Sequence, residues 1–357
     1  MSIFDRAIET IEYNLNNEIN CIPFGLERFQ EYLPGIQKGR YYGITASSGV
    51  GKTQFCDAIF MYNTIDFVKA NPNIKLKIFY NSLEISKETK IIQGIAKRLF
   101  IEHKKIVPSE LILSLSKSRM DSETYNQIVK LKDYFTDLEE YVEFHDDKVN
   151  PYGIYKTVYD YMANNGTIVK KKISIDGIEH EVFDHYEPNH PDHYVLVITD
   201  HIGLLNNEVD VKTKQKLDIK GTIEKHSSNM VELRNKFAIT PVDIQQQAAA
   251  KESLDSFKQG KLEPSLEGLA ETKLTQRDWD IAIGVFSPAR HEIPKYKGYD
   301  ITKLKDSYRY INVLKNRYGI SNVSDNLFFM GAVNMFYELP KYNDPLINKY
   351  YERAATL

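Results

Sequence analysis

The stretch "ITASSGVGKTQF", residues 44 to 55, constrains this chain more than any other. Apolar "GRYYGITA" runs into it and reads as a buried strand, and "TQFCDAIFMYNTIDFVKA" leaves it with the pattern of a helix. A strand that turns through glycines straight into a helix leaves the first helical N–H groups unpaired and converging, which makes a cradle for phosphate. From Ala46 to Thr53 the spacing is that of a phosphate loop: a small residue, four free positions, then Gly51, Lys52 and Thr53. Successive N–H groups along Ala46, Ser47, Ser48, Gly49, Val50, Gly51, Lys52, Thr53 and Gln54 would wrap a β-phosphate. Lys52 would neutralise the β- and γ-phosphates, and the Thr53 hydroxyl would ligate Mg²⁺. What work the nucleotide drives has to be read from the rest of the chain.

Strand and helix alternate beyond the loop. "IKLKIFYNSLE" precedes "KETKIIQGIAKRLFIEH", "YVEFHDD" precedes "YGIYKTVYDYMA", and "HYVLVITD" precedes "TIEKHSSNMVELRNKFA". The strands "TPVDIQQQ" and "DIAIGVFS" follow. This order predicts an α/β fold, a mostly parallel sheet with helices on both faces. "YRYINVLKNR" and "DNLFFMGAVNMFYEL" read as neighbouring antiparallel strands and give the sheet an antiparallel C-terminal edge. Two stretches interrupt the pattern: a polar, helical one at about 105–135 and one at about 166–190, where "KKKISIDGIEHEVF" alternates around Asp176-Gly177 as a hairpin does. Phe4, Ile8, Ile11 and Leu15 form one stripe of an amphipathic helix within residues 1–20. That stripe suits either packing on its own domain or docking on a neighbouring copy. Residues 21–340 read as one domain and 341–357 as a tail.

The net charge of −3 excludes a generally basic nucleic-acid coat but not a local basic patch. Two cysteines, Cys21 and Cys56, argue for reduced thiols in a cytoplasmic setting and against a disulfide framework. No apolar run approaches the ~20 residues that span a bilayer, so no membrane is expected.

Further site residues follow from strand ends. "VLVITD" ends on Asp200, the candidate to hold Mg²⁺ through water; capping the next segment is its alternative. Glu84 directly follows the second strand, on the carboxyl edge where ligands of open α/β sheets bind. By position alone it suits a helix cap as well as a base for the attacking water.

Several motifs in order resemble the ATPase domain of the DnaB-type replicative helicases, hexameric RecA-like motors with a P-loop NTPase fold. They are "PFGLERFQEYLPGIQKGRYYGITASSGVGKT", "NSLEIS", "VLVITDHIGLL", "ELRNKFAITPVDIQQQ", "LAETKLTQRDWDIAIGVF" and "INVLKNRYG", spread over roughly residues 20 to 340. The resemblance implies that Glu84 is the catalytic base and that Gln247 senses the γ-phosphate and links it to DNA loops. It implies that Lys315 and Arg317 reach into the neighbouring subunit's site. On residue chemistry alone that pair also fits two solvated charges on an edge strand. His201 and Gly203 depart from the family, which usually has an aromatic residue and a glutamine there. The family's helical amino-terminal domain has no counterpart, an arrangement typical of phage-type relatives working in a bacterial host's cytoplasm. The first helix then looks like the linker helix that docks on the adjacent protomer.

The resemblance further implies ATP and Mg²⁺ as cofactors, single-stranded DNA as the track, a homo-oligomer, typically a hexamer, and a primase or helicase loader as partner. DNA would meet the loops after the Asp200 and Gln247 strands, through Lys212, Lys214, Lys216 and Lys220 and through Lys251, Lys258 and Lys261. Interleaved acids allow these to be merely solvated loops, with Phe257 the one aromatic among them. His180, His185, His190 and His193 crowd one polar stretch beside Asp184 and Asp192, without the spacing of a zinc site. The expected function is an ATP-driven helicase that unwinds duplex DNA at the replication fork. A RecA-like recombinase, a nucleic-acid packaging ATPase and a non-motor, ATP-gated assembly protein are the alternatives.

Overall fold

A computed structural model describes residues 3–115, 117–147, 149–209, 214–248 and 262–357. The strands are β1 (Tyr42–Ala46), β2 (Lys75–Ser82), β3 (Val142–His145), β4 (Gly166–Ile175), β5 (Ile178–Pro188), β6 (His193–Asp200), β7 (Thr240–Gln246) and β8 (Ile281–Phe286). The short β9 (Lys295–Tyr296) and β10 (Tyr299–Asp300) precede β11 (Tyr308–Asn316), β12 (Ser324–Met330) and β13 (Met335–Glu338). Nine of them form one sheet in the order β13-β12-β11-β8-β1-β7-β6-β2-β3. The run from β8 to β3 is parallel, and β11, β12 and β13 each pair antiparallel with their neighbour. The α/β fold with an antiparallel C-terminal edge is therefore as the sequence leads one to expect.

Alternation along the buried strands splits the core into two layers. In β6, Tyr194, Leu196 and Ile198 face the layer that holds Phe55, Ile59 and Leu99, from the helix after the phosphate loop and the helix Lys87–His103. Val195 and Val197 face the other, with Ile154, Val158 and Met162 of Pro151–Asn164 and Ile223, Met230 and Leu233 of Ile219–Phe237. Helices thus cover both faces, which lets β6 be buried along its whole length. A third cluster fills the antiparallel edge. It includes Ile347 and Ala354, so the expected tail carries a packed helix, Ile347–Ala355.

The Asp176-Gly177 hairpin forms as β4 and β5, with Ile175 opposite Ile178. Both turn residues have positive φ, 51° and 80°, as a two-residue hairpin turn requires. The first helix spans Ile3–Asn16 and is held by its polar side. Arg6 pairs with Asp184 at 3.1 Å, and the Tyr13 hydroxyl donates to Asp192 at 2.5 Å. Its apolar stripe is left outward, Phe4 71% and Leu15 79% exposed.

Candidate nucleotide site

β1 is buried at all five positions and delivers Ala46 to the carboxyl edge of the sheet. Gly49 and Gly51 take φ of 70° and 95°, where a side chain is disfavoured, and the helix starts at Lys52. It runs through Lys52–Cys56, a π-helical segment Asp57–Tyr62 and Asn63–Ala70. The Lys52 ammonium folds back to donate to the Ser47 carbonyl at 3.2 Å, as a lysine bordering the phosphate cradle can. Two strands away, Asp200 closes β6 and is fully buried. The Thr53 hydroxyl donates to its Oδ1 at 3.1 Å. That hydroxyl and carboxylate are the hard oxygen donors a divalent cation prefers, with phosphate and water left to complete the shell.

Ser82 of β2 lies opposite Asp200, and the Leu83 amide donates to the Asp200 carbonyl at 2.7 Å. Glu84 follows at once, exposed at the same edge. His201, joined to Asp200 by a cis peptide, accepts from the Gly203 amide at 3.2 Å. Burial lowers the His201 pKa; the charges of Glu84 and Asp200 oppose this and that of Lys52 reinforces it. Gln247 extends β7 beside the loop, its amide bonded to the Ala46 carbonyl at 3.0 Å. Its side chain donates to the Thr45 hydroxyl at 2.8 Å and the Ser265 carbonyl at 3.0 Å, so it spans β1 and the segment that leads into β8.

No family model matches the sequence, and no curated protein matches it. Solved structures share its architecture, among them the following two. One, described as an ATPase domain, superposes with a TM-score of 0.70 at 16% identity, over 95% of this chain and 100% of that one. A DnaB-like replicative helicase, described with its interactions with primase, gives 0.68 at 14% identity, over 95% of this chain and 69% of that one. The fold is RecA-like and is shared with both of these structures.

Within this RecA-like frame Lys315 and Arg317 lie far from their own phosphate loop. Asn316 pairs with Ile281, the first residue of β8, and Ile281 lies opposite Tyr42, the first residue of β1. The loop leaves from the other end of β1, about 13 Å along the strand. Lys315 donates to the carbonyls of Gln276 at 2.5 Å and Trp279 at 2.6 Å, and burial and then the Arg317 charge lower its pKa. Arg317 pairs with buried Asp280 at 3.0 Å and donates to the Arg277 carbonyl at 2.7 Å. Both cations therefore rest on one turn at the amino edge.

Sequence reasoning missed several residues. Arg309 is buried under the phosphate loop, with its Nε donating to the Val50 carbonyl at 2.6 Å. A signal existed: alternation puts Arg309 on the same side of β11 as Ile311 and Val313, facing the core. Arg290, after β8, donates to the Gly49 carbonyl at 3.2 Å and crowds the position a Gly49 Cβ would take. Asp57, Tyr80 and Lys90 form a buried cluster behind Asp200. Lys90 contacts Asp57 at 2.9 Å, the Tyr80 oxygen at 2.6 Å and Asp200 at 3.5 Å. Burial opposes the Lys90 charge, but Asp57 and Asp200 outweigh it and hold its pKa above the ordinary lysine value. Burial lifts the Asp57 carboxyl, yet the ammonium and the Tyr80 hydroxyl, donating at 2.6 Å, both favour its ionised form. We read Asp57 as a carboxylate and Lys90 as an ammonium, with Tyr80 a neutral phenol, because the ammonium and the phenol both donate to Asp57.

Of the proposed DNA lysines, Lys212, Lys251, Lys258 and Lys261 lie outside the described residues, as does Phe257. Lys214, Lys216 and Lys220 are exposed, with Lys220 4.0 Å from Glu224. The four histidines do not converge: His185 bonds Asp184 and Glu187, whereas His193 meets the Tyr161 hydroxyl. Among the described residues no three His, Cys, Asp or Glu side chains gather as a metal cluster, and no helix is long and apolar enough to cross a membrane.

Proposed function

We propose that this chain is an ATP-hydrolysing motor subunit of a ring-forming helicase, working as a homo-oligomer, a hexamer, on single-stranded DNA in the cytoplasm. The observation that carries the reading is the split site. The phosphate loop, Thr53, Asp200, Glu84 and Gln247 share the carboxyl edge, and two cations of the Lys-x-Arg strand share the amino edge. Within one protomer the two halves do not meet; in a closed ring the amino edge of one copy faces the carboxyl edge of the next.

Each residue then has a task. The loop amides and Lys52 bind the phosphates, and Arg290 adds charge at the Gly49 side. Thr53 ligates Mg²⁺ and Asp200 holds it through water; the metal screens the charge that builds on the phosphoryl oxygens. Glu84 accepts the proton of the attacking water. Gln247, bonded to β1 and to the segment before β8, links the γ-phosphate to the loop that follows it. Lys315 and Arg317 enter the next copy's site and stabilise the transition state. The outward stripe of the first helix docks on the adjacent copy, and Lys212, Lys214, Lys216, Lys220, Lys251, Lys258 and Lys261 track the DNA backbone. A primase or a helicase loader is the partner expected, by likeness to a helicase described with primase.

The test measures ATP turnover per subunit against protein concentration, with and without oligo-dT, alongside native mass. Turnover should climb steeply as rings assemble and climb again with oligo-dT, and a forked duplex should be unwound. A monomer with full activity that ignores oligo-dT refutes the reading. Turnover with oligo-dT but no strand separation moves it to a recombinase.

A further inference from the structure

Asp200 has two carboxylate oxygens, and the structure gives each a different neighbour. Oδ1 takes the Thr53 hydroxyl at 3.1 Å, and Oδ2 faces the Lys90 ammonium at 3.5 Å. The last torsion of an aspartate is broad and nearly two-fold, so a carboxylate tethered on one side is free to rock. A second tether fixes which oxygen looks toward Thr53. We propose that Lys90 is a positioning residue for Asp200, holding one carboxylate oxygen so that the other is set to receive the water of Mg²⁺. This rests on the nucleotide-site reading above.

Lys90 neutralises buried Asp57 and reaches Asp200 from the same position. Its side chain is 0% exposed, as is that of Asp200, and Asp57 is 1% exposed. Its donors go to Asp57 at 2.9 and 3.0 Å, the Tyr80 oxygen at 2.6 Å and Asp200. Stability alone does not call for such a cluster, because apolar residues of similar volume commonly do as well or better. The placement is what stands out. Asp57 opens the π-helical segment, on the helix that begins with Lys52 and Thr53. Lys90 sits in the first turns of the helix that follows Glu84. One ammonium therefore ties the phosphate-loop helix and the segment carrying the base to the strand-end aspartate. Outer-sphere partners of this kind orient a metal's ligands and set its affinity.

The test titrates Mg²⁺ into the full chain and reads its effect on the binding of a fluorescent ADP analogue, so that turnover is not needed. Lys90→Met alone strands two buried carboxylates and is expected to lose many degrees of thermal midpoint. The informative variants are therefore the pairs Asp57→Asn with Lys90→Met and Asp57→Leu with Lys90→Met, which remove the orphaned charge as well. In whichever pair folds, the half-saturating Mg²⁺ concentration should rise about tenfold. Asp57→Asn alone keeps the lysine on Asp200, and its half-saturating Mg²⁺ should stay within about twofold of wild type. A folded pair variant with wild-type Mg²⁺ dependence overturns the proposal. So does a tenfold rise in Asp57→Asn alone, because the effect would then belong to the helix and not to the lysine. Wild-type protein whose nucleotide binding ignores Mg²⁺ would instead bring down the ATPase reading, and the proposal with it.

Discussion

At the carboxyl edge of the sheet, Thr53, Asp200 and Gln247 are tied to one another's strands by bonds that start and end inside the chain. At the amino edge, Lys315 and Arg317 are also bonded, but to the carbonyls and the Asp280 carboxylate of one turn, Gln276 to Asp280. Beside them Tyr318 and Ile320 stand 56% and 65% exposed. The first edge is a cradle whose own parts are fixed to one another within one copy. The second is a set of cations on a firm base, with Ile320 and the outer face of Tyr318, which Arg40 stacks on its other side, open beside them. An arginine aimed in advance loses less freedom when it meets a phosphate than one recruited from solvent. Asp280 serves that aim, because it also takes Arg234 at 2.7 Å and so does not depend on Arg317 for its own charge balance.

The sharpest way to break the comparison is Arg317→Ala. If the amino edge acts in the next copy, turnover should fall about 10³-fold while nucleotide affinity stays within a few-fold. Because Asp280 keeps Arg234, stability should change by less than ~1 kcal/mol. Mixing supplies the decisive measurement. Arg317→Ala still offers a sound carboxyl edge, and Glu84→Gln still offers a sound amino edge. Together the two inactive proteins should recover part of the activity; a mixture as dead as its components would assign Arg317 a task within its own chain.

The same contrast explains what is legible in the sequence. The phosphate loop and the strand-end Asp200 are local patterns, and Asp200 stands out because it closes an apolar run. The alternation of strands and helices predicts the sheet and its antiparallel edge for the same reason: side-chain periodicity is written into neighbouring residues. The Asp57, Tyr80 and Lys90 cluster is not readable, because its members come from three elements brought together only by the order β6-β2 and the packing of two helices on it. Lys90 looks like any polar residue of an amphipathic helix until the helix is laid on the sheet. The outward stripe of the first helix is visible, but its partner is not, since the polar contacts of Arg6 and Tyr13 that turn it outward reach residues almost 180 positions away.

The carboxyl edge offers a second arginine to set against Arg317. Arg309 is 1% exposed and holds Val50, Ser287 and Asp306 together under the phosphate loop. Arg309→Met should cost ~3 kcal/mol, because buried carbonyls lose a charged donor, and that lowers the thermal midpoint by about 4 °C for a chain of 357 residues. Loss of turnover in this variant should follow loss of nucleotide affinity and should not be rescued by mixing with Glu84→Gln. Rescue would mean that both arginines act between copies, and the distinction between the edges would fail.

The mildest test uses pH. His193 begins β6 at the amino edge, and its Nε2 meets the Tyr161 hydroxyl at 3.1 Å. Burial, then the charges of Lys75, His190 and Lys38, push its pKa down from 6.5 to about 4. A histidine depressed in this way is neutral in the folded chain while the unfolded chain takes up a proton, so its contribution is whole above pH 6.5. It is lost as the pH falls from 6.5 toward 4. Discounted for the water that reaches this edge, the loss is about 2 kcal/mol. The fall of the thermal midpoint across that window should therefore be shallower in His193→Gln than in wild type, with the two curves parallel above pH 7. Equal slopes would mean that the ring titrates as freely as in the unfolded chain. The start of β6 would then be wetter than its end, where Asp200 is fully buried beside Lys90.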